Sequence, residues 1–163
     1  MWDAVLPTSA WLEAQLPSLP RPPAPNASGP AVPVDPEALR LARVNSIAGA
    51  CLALGLRFAG SCCEPACDML IEQVKELHAL RQSPNSPKAE QPTLETCLGT
   101  AALALSLVMA GSGNLKCLRL LRVLRRRVDN DVTYGFHMAV GMAIGFLFLG
   151  GGRYSASLCR AAR

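Results

Sequence analysis

Beyond residue 36, apolar residues recur at spacings of three and four positions, which is the pattern of helices with one buried face. Asp35, Pro36 and Glu37 read as an N-cap, a first-turn proline and a first-turn acid, so a helix is predicted to begin there. Glycines follow the first, third and fifth helical segments and are expected to end them. The pattern predicts five helices, over about residues 37–59, 64–82, 93–110, 114–128 and 134–149.

Two of these helices are expected to turn one identifiable face toward the core, because residues three and four apart share a helix face. The face of the second helix consists of Leu70, Val74, Leu77 and Arg81. The face of the fourth consists of Cys117, Leu120, Leu121, Leu124 and Val128.

The chain contains an internal repeat, since residues 48–61 align without gaps on residues 99–112 and on residues 138–151. Each aligned segment carries a bulky stripe and a stripe of small residues that allows a neighbouring helix to approach closely. We expect leucine in place of Ala104 or Gly145 to overpack the stack. The residues predicted to pack between units are Gly55, Phe58, Gly60, Ala104, Ser106, Gly111, Gly141, Gly145, Phe148 and Gly150.

A period of about 40 residues built from two helices is typical of an α-solenoid. We therefore predict an all-α fold, a solenoid fragment of about three two-helix repeats that follows an irregular, Pro-rich N-terminal segment. The predicted divisions are a Pro-rich segment or linker at 1–36, repeat 1 at 37–82, a Pro/Ser loop at 83–92, repeat 2 at 93–131 and an incomplete repeat 3 at 132–163.

Composition agrees with this division, since nine of the 13 prolines lie in the first 36 residues. With 50% hydrophobic and 17% charged residues, the chain is neither wholly disordered nor collagen-like. The seven cysteines lie largely in apolar runs, and the first residues do not have the pattern of a signal peptide. These features favour free thiols in a reducing intracellular compartment, and we expect the chain in the nucleus and cytoplasm.

Candidate chemistry is sparse along the chain. Cys62 and Cys67 have no second ligand pair at zinc spacing, and His78 and His137 lie in no recognisable triad pattern. The glycines at 150–152 lack the Gly-Lys-Ser/Thr ending of a phosphate loop and follow a helix pattern. We therefore predict no catalytic residue, no cofactor, no metal site and no small-molecule substrate.

The formal net charge is only +4, but one run between Lys116 and Arg127 is strongly basic. Helical spacing places Arg119, Arg122 and Arg126 together, opposite the leucines of the same helix. The simplest interpretation is that these arginines form a solvated outer face. The alternative is that they form a surface that binds an acidic protein partner. Nucleic acid is not an expected partner, because no aromatic residue interleaves with the charges.

A membrane hairpin is the competing interpretation of the apolar runs at residues 97–113 and 135–152, which are nearly free of charge. Both runs are shorter than the roughly 20 residues that span a bilayer. The second contains His137, and the aligned segment at 47–61 contains Arg57. We therefore favour buried helices of a repeat array and do not expect a membrane partner.

Four segments are distinctive when taken together: IAGACLALGLRFAGS at 47–61, VMAGSGNLK at 108–116, YGFH at 134–137 and LFLGGGRYS at 147–155. They closely resemble the proteasome/cyclosome repeats of the largest subunit of the anaphase-promoting complex. WDAVLPTS at 2–9 looks like the segment that leads into that repeat region. The joint occurrence of these motifs is far more specific than any one of them.

The resemblance implies a toroid of two-helix repeats, shared in outline with the two large non-ATPase subunits of the proteasome base. It also implies a non-catalytic scaffold of a multi-subunit E3 ubiquitin ligase that supports ubiquitination of mitotic regulators and the metaphase–anaphase transition. Its partners would be the other subunits of the complex, among which the cullin and RING subunits carry out the chemistry. A proteasome-base repeat protein and a small membrane hairpin protein are the alternatives.

The sequence departs from the family pattern in three places. Residues 29–43 and 62–91 match it poorly, and after Ser155 the chain no longer follows the family, which continues into further repeats. We therefore expect a fragment, a shortened isoform or a partial copy of the scaffold subunit.

Overall fold

The computed structural model describes residues 8–16, 35–83, 90–128 and 132–150. These residues form helices and connecting turns, which confirms the predicted all-α class. The helices are α1 (Ser9–Gln15), α2 (Pro36–Arg57), α3 (Glu64–Gln82), α4 (Gln91–Val108), α5 (Leu115–Arg125) and α6 (Tyr134–Leu147).

Helices α2, α4 and α6 lie side by side in one layer, with α4 in the middle. Helix α3 packs on α2 and α4, and α5 packs on α6 and α4, so these two helices form a second layer. Leu98 and Leu105 of α4 are fully buried, as are Leu54 of α2 and Leu70 of α3. The apolar run that begins at Cys97 is therefore apolar because it is covered by protein on several sides.

Polar capping side chains mark the starts of α2, α5 and α6. The Asp35 side chain accepts a hydrogen bond from the Glu37 N–H at 2.9 Å, as its N-cap prediction requires. The Asn114 side chain caps α5, and the Thr133 side chain accepts from the Phe136 N–H at the start of α6. These polar side chains satisfy amide groups that the first helical turn leaves without intrahelical partners.

Helix α1 lies inside the segment that was expected to be irregular. The Thr8 side chain accepts a hydrogen bond from the Trp11 N–H at 3.2 Å, and Leu12 is 3% exposed where α1 packs on α2. A helix of seven residues between prolines gives little periodic signal, and it depends on tertiary packing rather than on its own propensity. Residues 1–7 and 17–34 lie outside the described part of the chain.

The buried face predicted for α3 is confirmed, and the one predicted for α5 is confirmed only in part. Leu70, Val74, Leu77 and Arg81 of α3 are all buried, which confirms that face. On α5 the prediction is wrong at its end, because the helix stops at Arg125 and Val128 is 90% exposed. Because the helix ends there, the Arg127 side chain points inward and pairs with the buried Glu95 carboxylate.

One described helix, over Glu37–Arg57, has the length and the mean hydropathy (1.3) that a membrane crossing needs, by length and composition only. It is not one of the two runs that the hairpin interpretation uses. Of those runs, the first overlaps α4 over residues 97–108, and the second overlaps α6, a shorter apolar helix, over residues 135–147.

Candidate functional site

The turns that follow α2 and α4 join neighbouring units by the same pair of backbone hydrogen bonds. The Gly60 N–H donates to the Leu107 carbonyl at 2.8 Å, and the Gly111 N–H donates to the Phe146 carbonyl at 3.0 Å. In the repeat alignment Gly60 matches Gly111 and Leu107 matches Phe146, so the same hydrogen bond occurs at equivalent positions of two successive units. The structure thus shows the sequence repeat as a repeated joint.

A second bond of each joint lies two residues further along. The Cys62 N–H donates to the Val108 carbonyl at 3.1 Å, and the Gly113 N–H donates to the Leu147 carbonyl at 3.0 Å. Both donor residues have positive φ, 53° at Cys62 and 61° at Gly113. Cys62 therefore adopts a backbone conformation that an L side chain rarely takes, where its aligned partner has glycine.

The glycines of the turns are required by backbone conformation. Gly60, Gly111 and Gly150 have φ of 68°, 74° and 73°, in the left-handed region where only glycine avoids a steric penalty. Gly150 occupies the same position after α6 that Gly60 and Gly111 occupy after α2 and α4. A Cβ at Gly111 would also lie 3.0 Å from the Leu149 carbonyl oxygen.

Gly55 is required by close helix approach. A Cβ on Gly55 would lie 2.7 Å from the Ala104 Cα, well inside van der Waals contact. Ala104 is fully buried, so α2 and α4 meet backbone to backbone at this point. Ser106 is buried nearby on α4, and its hydroxyl donates to the Leu103 carbonyl at 2.7 Å. Phe58 is half-buried against the core.

The small residues of α6 have a different environment. At Gly141 and Gly145 an added Cβ would meet nothing within 4 Å, so the overpacking expected for leucine at Gly145 does not apply to the described structure. The two glycines share a helix face with Met138 (50% exposed) and Met142 (52% exposed). We call these four residues, with Phe148 (43% exposed), the outer face of α6. In the repeat alignment Gly145 matches Gly55, the residue at the closest helix contact.

A buried ion cluster, which the sequence patterns above do not predict, joins the two layers. Glu95 of α4 is 1% exposed and forms ion pairs with Arg81 at the end of α3 and with Arg127 after α5. The Arg127 Nη2 donates to Glu95 Oε1 at 2.6 Å, and its guanidinium carbon lies 5.2 Å from the centre of the Phe136 ring. One carboxylate thus ties together the ends of both helices of the second layer.

A signal for this cluster was present in the sequence. Arg81 continues the apolar face of α3, and Glu95 stands near the start of a predominantly apolar helix. Two opposite charges on separate buried faces indicate a buried pair, since an isolated charge there would be costly. Arg127 could not be found in this way, because its inward direction depends on where α5 ends.

The three arginines that helical spacing places together form one basic face of α5. Arg119, Arg122 and Arg126 are all exposed on the outer side of α5. Leu121 and Leu124 on the opposite side are fully buried. The three guanidinium groups are therefore available to a partner.

The buried thiols behave as small apolar side chains. Burial, with a smaller contribution from nearby Cys97 and Glu76, raises the pKa of the Cys51 thiol to about 12. The Sγ atoms of Cys67 and Cys117 lie 3.5 Å apart, and this hydrogen bond raises the pKa of Cys67 and lowers that of Cys117. Within the described ranges, no three His, Cys, Asp or Glu side chains are placed to hold a metal ion.

Comparison of the sequence with known proteins shows which protein family this chain resembles. A family model described as APC1 fifth domain matches residues 1–162. Anaphase-promoting complex subunit 1 of Homo sapiens is 44% identical over 161 residues, which cover 96% of this chain and 8% of the relative.

Relatives from two other organisms give similar matches. Anaphase-promoting complex subunit 1 of Dictyostelium discoideum is 48% identical over 136 residues, 76% of this chain and 6% of the relative. A protein of Emericella nidulans named negative regulator of mitosis is 46% identical over 114 residues, 68% of this chain and 6% of the relative. The chain therefore spans less than a tenth of the length of these relatives.

Proposed function

Because the chain belongs to the family of anaphase-promoting complex subunit 1, we propose that it acts as a non-catalytic scaffold piece of that ubiquitin ligase complex. The observation that carries the proposal is the repeated backbone joint, in which the turns at Gly60 and Gly111 donate to the carbonyls of the next unit. A joint that repeats in register fixes the spacing and orientation of successive units, which is what a scaffold must do.

The chemistry of the described side chains agrees with a supporting role. The buried Glu95 is engaged by two arginines that lock the layers together, and the Cys51 thiol stays protonated at neutral pH. In the proposal, the bond-making steps belong to the cullin and RING subunits. The scaffold supports ubiquitination of mitotic regulators and the metaphase–anaphase transition, in the nucleus and cytoplasm.

The outer face of α6 is the place where such a scaffold would continue. It repeats the small residues that α2 brings against α4, and Gly150 repeats the conformation of the two joint glycines. A further two-helix unit, or a subunit surface of the same shape, would find there an apolar face with space for close backbone approach.

Affinity purification from mitotic cells tests the scaffold proposal. The tagged 163-residue chain is expected to recover the cullin and RING subunits of the anaphase-promoting complex. Gly145→Leu should reduce that recovery by obstructing the outer face of α6, while Arg125→Leu, an apolar gain at an exposed position of α5, should leave it unchanged. Recovery of none of these subunits would refute the proposal, and equal recovery with both variants would refute the role of the outer face.

A further inference from the structure

A surface groove runs between α3 and α5, and we propose that it binds an acidic amphipathic helix of a partner protein. The groove has a volume of about 380 Å³ and an apolar floor made by Ile71, Leu120 and Val123. This inference goes beyond the scaffold role, because it assigns a partner chemistry to a surface that the unit-to-unit joints do not use.

The floor can accept apolar side chains. Val123 is 54% exposed, and Ile71 and Leu120 are half-buried with their inner sides packed on the core. Removing apolar surface of this kind from water favours binding. A ligand with two or three aliphatic side chains along one face would fill it.

The rim is mainly cationic. Lys75 of α3 and Lys116 and Arg119 of α5 line the groove, against a single carboxylate, Asp68. Lys116 Nζ lies 3.9 Å from Asp68 Oδ1, and both side chains are more than half exposed, so this pair is weak. Helix α5 itself contains no acidic residue from Leu115 to Arg125. The rim therefore attracts a ligand with carboxylates on both sides of its apolar face.

The two walls of the groove are held at both ends. Near the helix starts, the Sγ atoms of Cys67 and Cys117 lie 3.5 Å apart. Near the helix ends, Arg81 and Arg127 both pair with Glu95. A groove whose walls are fixed before binding spares the ligand the cost of ordering them.

The dimensions suit a short helix. The lining residues of each wall span about two helical turns, roughly 10 Å at 1.5 Å per residue. None of the residues that line the groove is aromatic, so it offers no platform on which nucleic acid bases could stack. An acidic peptide helix therefore fits the groove better than a nucleic acid does.

A labelled synthetic peptide tests the proposal on the whole chain. The probe is a helix-forming peptide of about 15 residues, with leucines at i, i+3, i+4 and i+7 and glutamates on either side. Its fluorescence anisotropy is expected to rise on titration with the protein, and the affinity to fall as salt is added. A peptide of the same composition, scrambled so that the leucines share no face, should bind at least about tenfold more weakly.

Protein variants locate the binding. The double variant Lys116→Glu/Arg119→Glu should weaken binding at least about tenfold, because two repulsive charges then face the glutamates. The matched control is Arg43→Glu/Arg125→Glu, which makes the same change in net charge at exposed positions outside the groove and should bind as the wild type does. A peptide with lysine for each glutamate should regain affinity for the first variant, which shows that the variant is folded.

Three results would overturn the proposal. They are equal binding of the scrambled peptide, equal loss in the control variant, and tighter binding of a single-stranded oligonucleotide through Lys116 and Arg119. Val123→Glu gives an independent check, since it places a charge on the exposed floor and should abolish binding of the acidic peptide.

Discussion

At the scale of single residues, the packing of α2 on α4 depends on a glycine at the point of closest approach. Gly55 has no room for one because α4 approaches at Ala104, whereas Gly49, six residues earlier on α2, has no atom within 4 Å of an added Cβ. The two glycines look alike in sequence, and only their neighbours distinguish them. One is required by packing and the other is an ordinary helix glycine.

Replacing each of these glycines by alanine separates the two roles. Gly55→Ala should lower the free energy of unfolding by about 1 to 3 kcal/mol, because the new methyl meets the Ala104 backbone, which cannot rotate away. Gly49→Ala should raise it by about 0.5 to 1 kcal/mol, because alanine restricts the unfolded chain and favours the helix. Urea unfolding followed by circular dichroism measures both, and equal shifts in the two variants would contradict the close-approach argument.

At the scale of helices, the sequence pattern locates the elements well and their last residues less well. The bounds of α3, Glu64–Gln82, are those predicted, since a first-turn proline and a Pro/Ser segment mark its two ends. Helix α5 ends earlier than its apolar spacing indicates, and Arg127, just beyond its end, pairs with Glu95 of α4. The last residue of this helix is therefore accompanied by a contact between distant residues that the spacing does not indicate.

The buried ion cluster is expected to be costly to break. Glu95→Gln should lower the free energy of unfolding by about 3 to 5 kcal/mol, because it leaves two buried arginines without a carboxylate. Glu72→Gln, at an exposed position of α3, should change it by less than about 0.5 kcal/mol.

A triple variant tests whether the cost belongs to unpaired charge. Arg81→Leu, Glu95→Leu and Arg127→Leu together should recover most of the stability that Glu95→Gln loses, because no unpaired charge of the cluster then remains buried. Urea unfolding of the four proteins compares them directly. A triple variant less stable than Glu95→Gln would show that the cluster contributes net stability.

At the scale of the whole molecule, helix α4 is the centre of the layer of α2, α4 and α6, and α1 packs on α2. Helix α4 is covered by its neighbours, and its Ser106, which aligns with Gly145 of α6, is fully buried. The outer face of α6 repeats the same small-residue pattern without a neighbour among the described residues. Equivalent residues of the repeat therefore differ in environment according to their place in the array.

Leucine substitutions at one covered and one uncovered small-residue position should reveal this difference in environment. Ala104→Leu is expected to lower the free energy of unfolding by about 1 to 3 kcal/mol through overpacking. Gly145→Leu should leave the chain at least as stable as the wild type, because the side chain enters open space and leucine favours the helix. Thermal unfolding of both variants checks this, and a loss of stability at Gly145 would show that the outer face of α6 is already covered.

The sequence by itself determined helices α2 to α6, their order, the repeat and the family motifs, because periodic spacing and turn glycines are local properties of the chain. It also placed Arg119, Arg122 and Arg126 on one exposed face. The tertiary structure alone decided which small residues touch a neighbour, that Arg127 joins Glu95, and that α3 and α5 form a groove with a basic rim. The physical reason is that these features depend on residues far apart in the chain, whose distance no local pattern encodes.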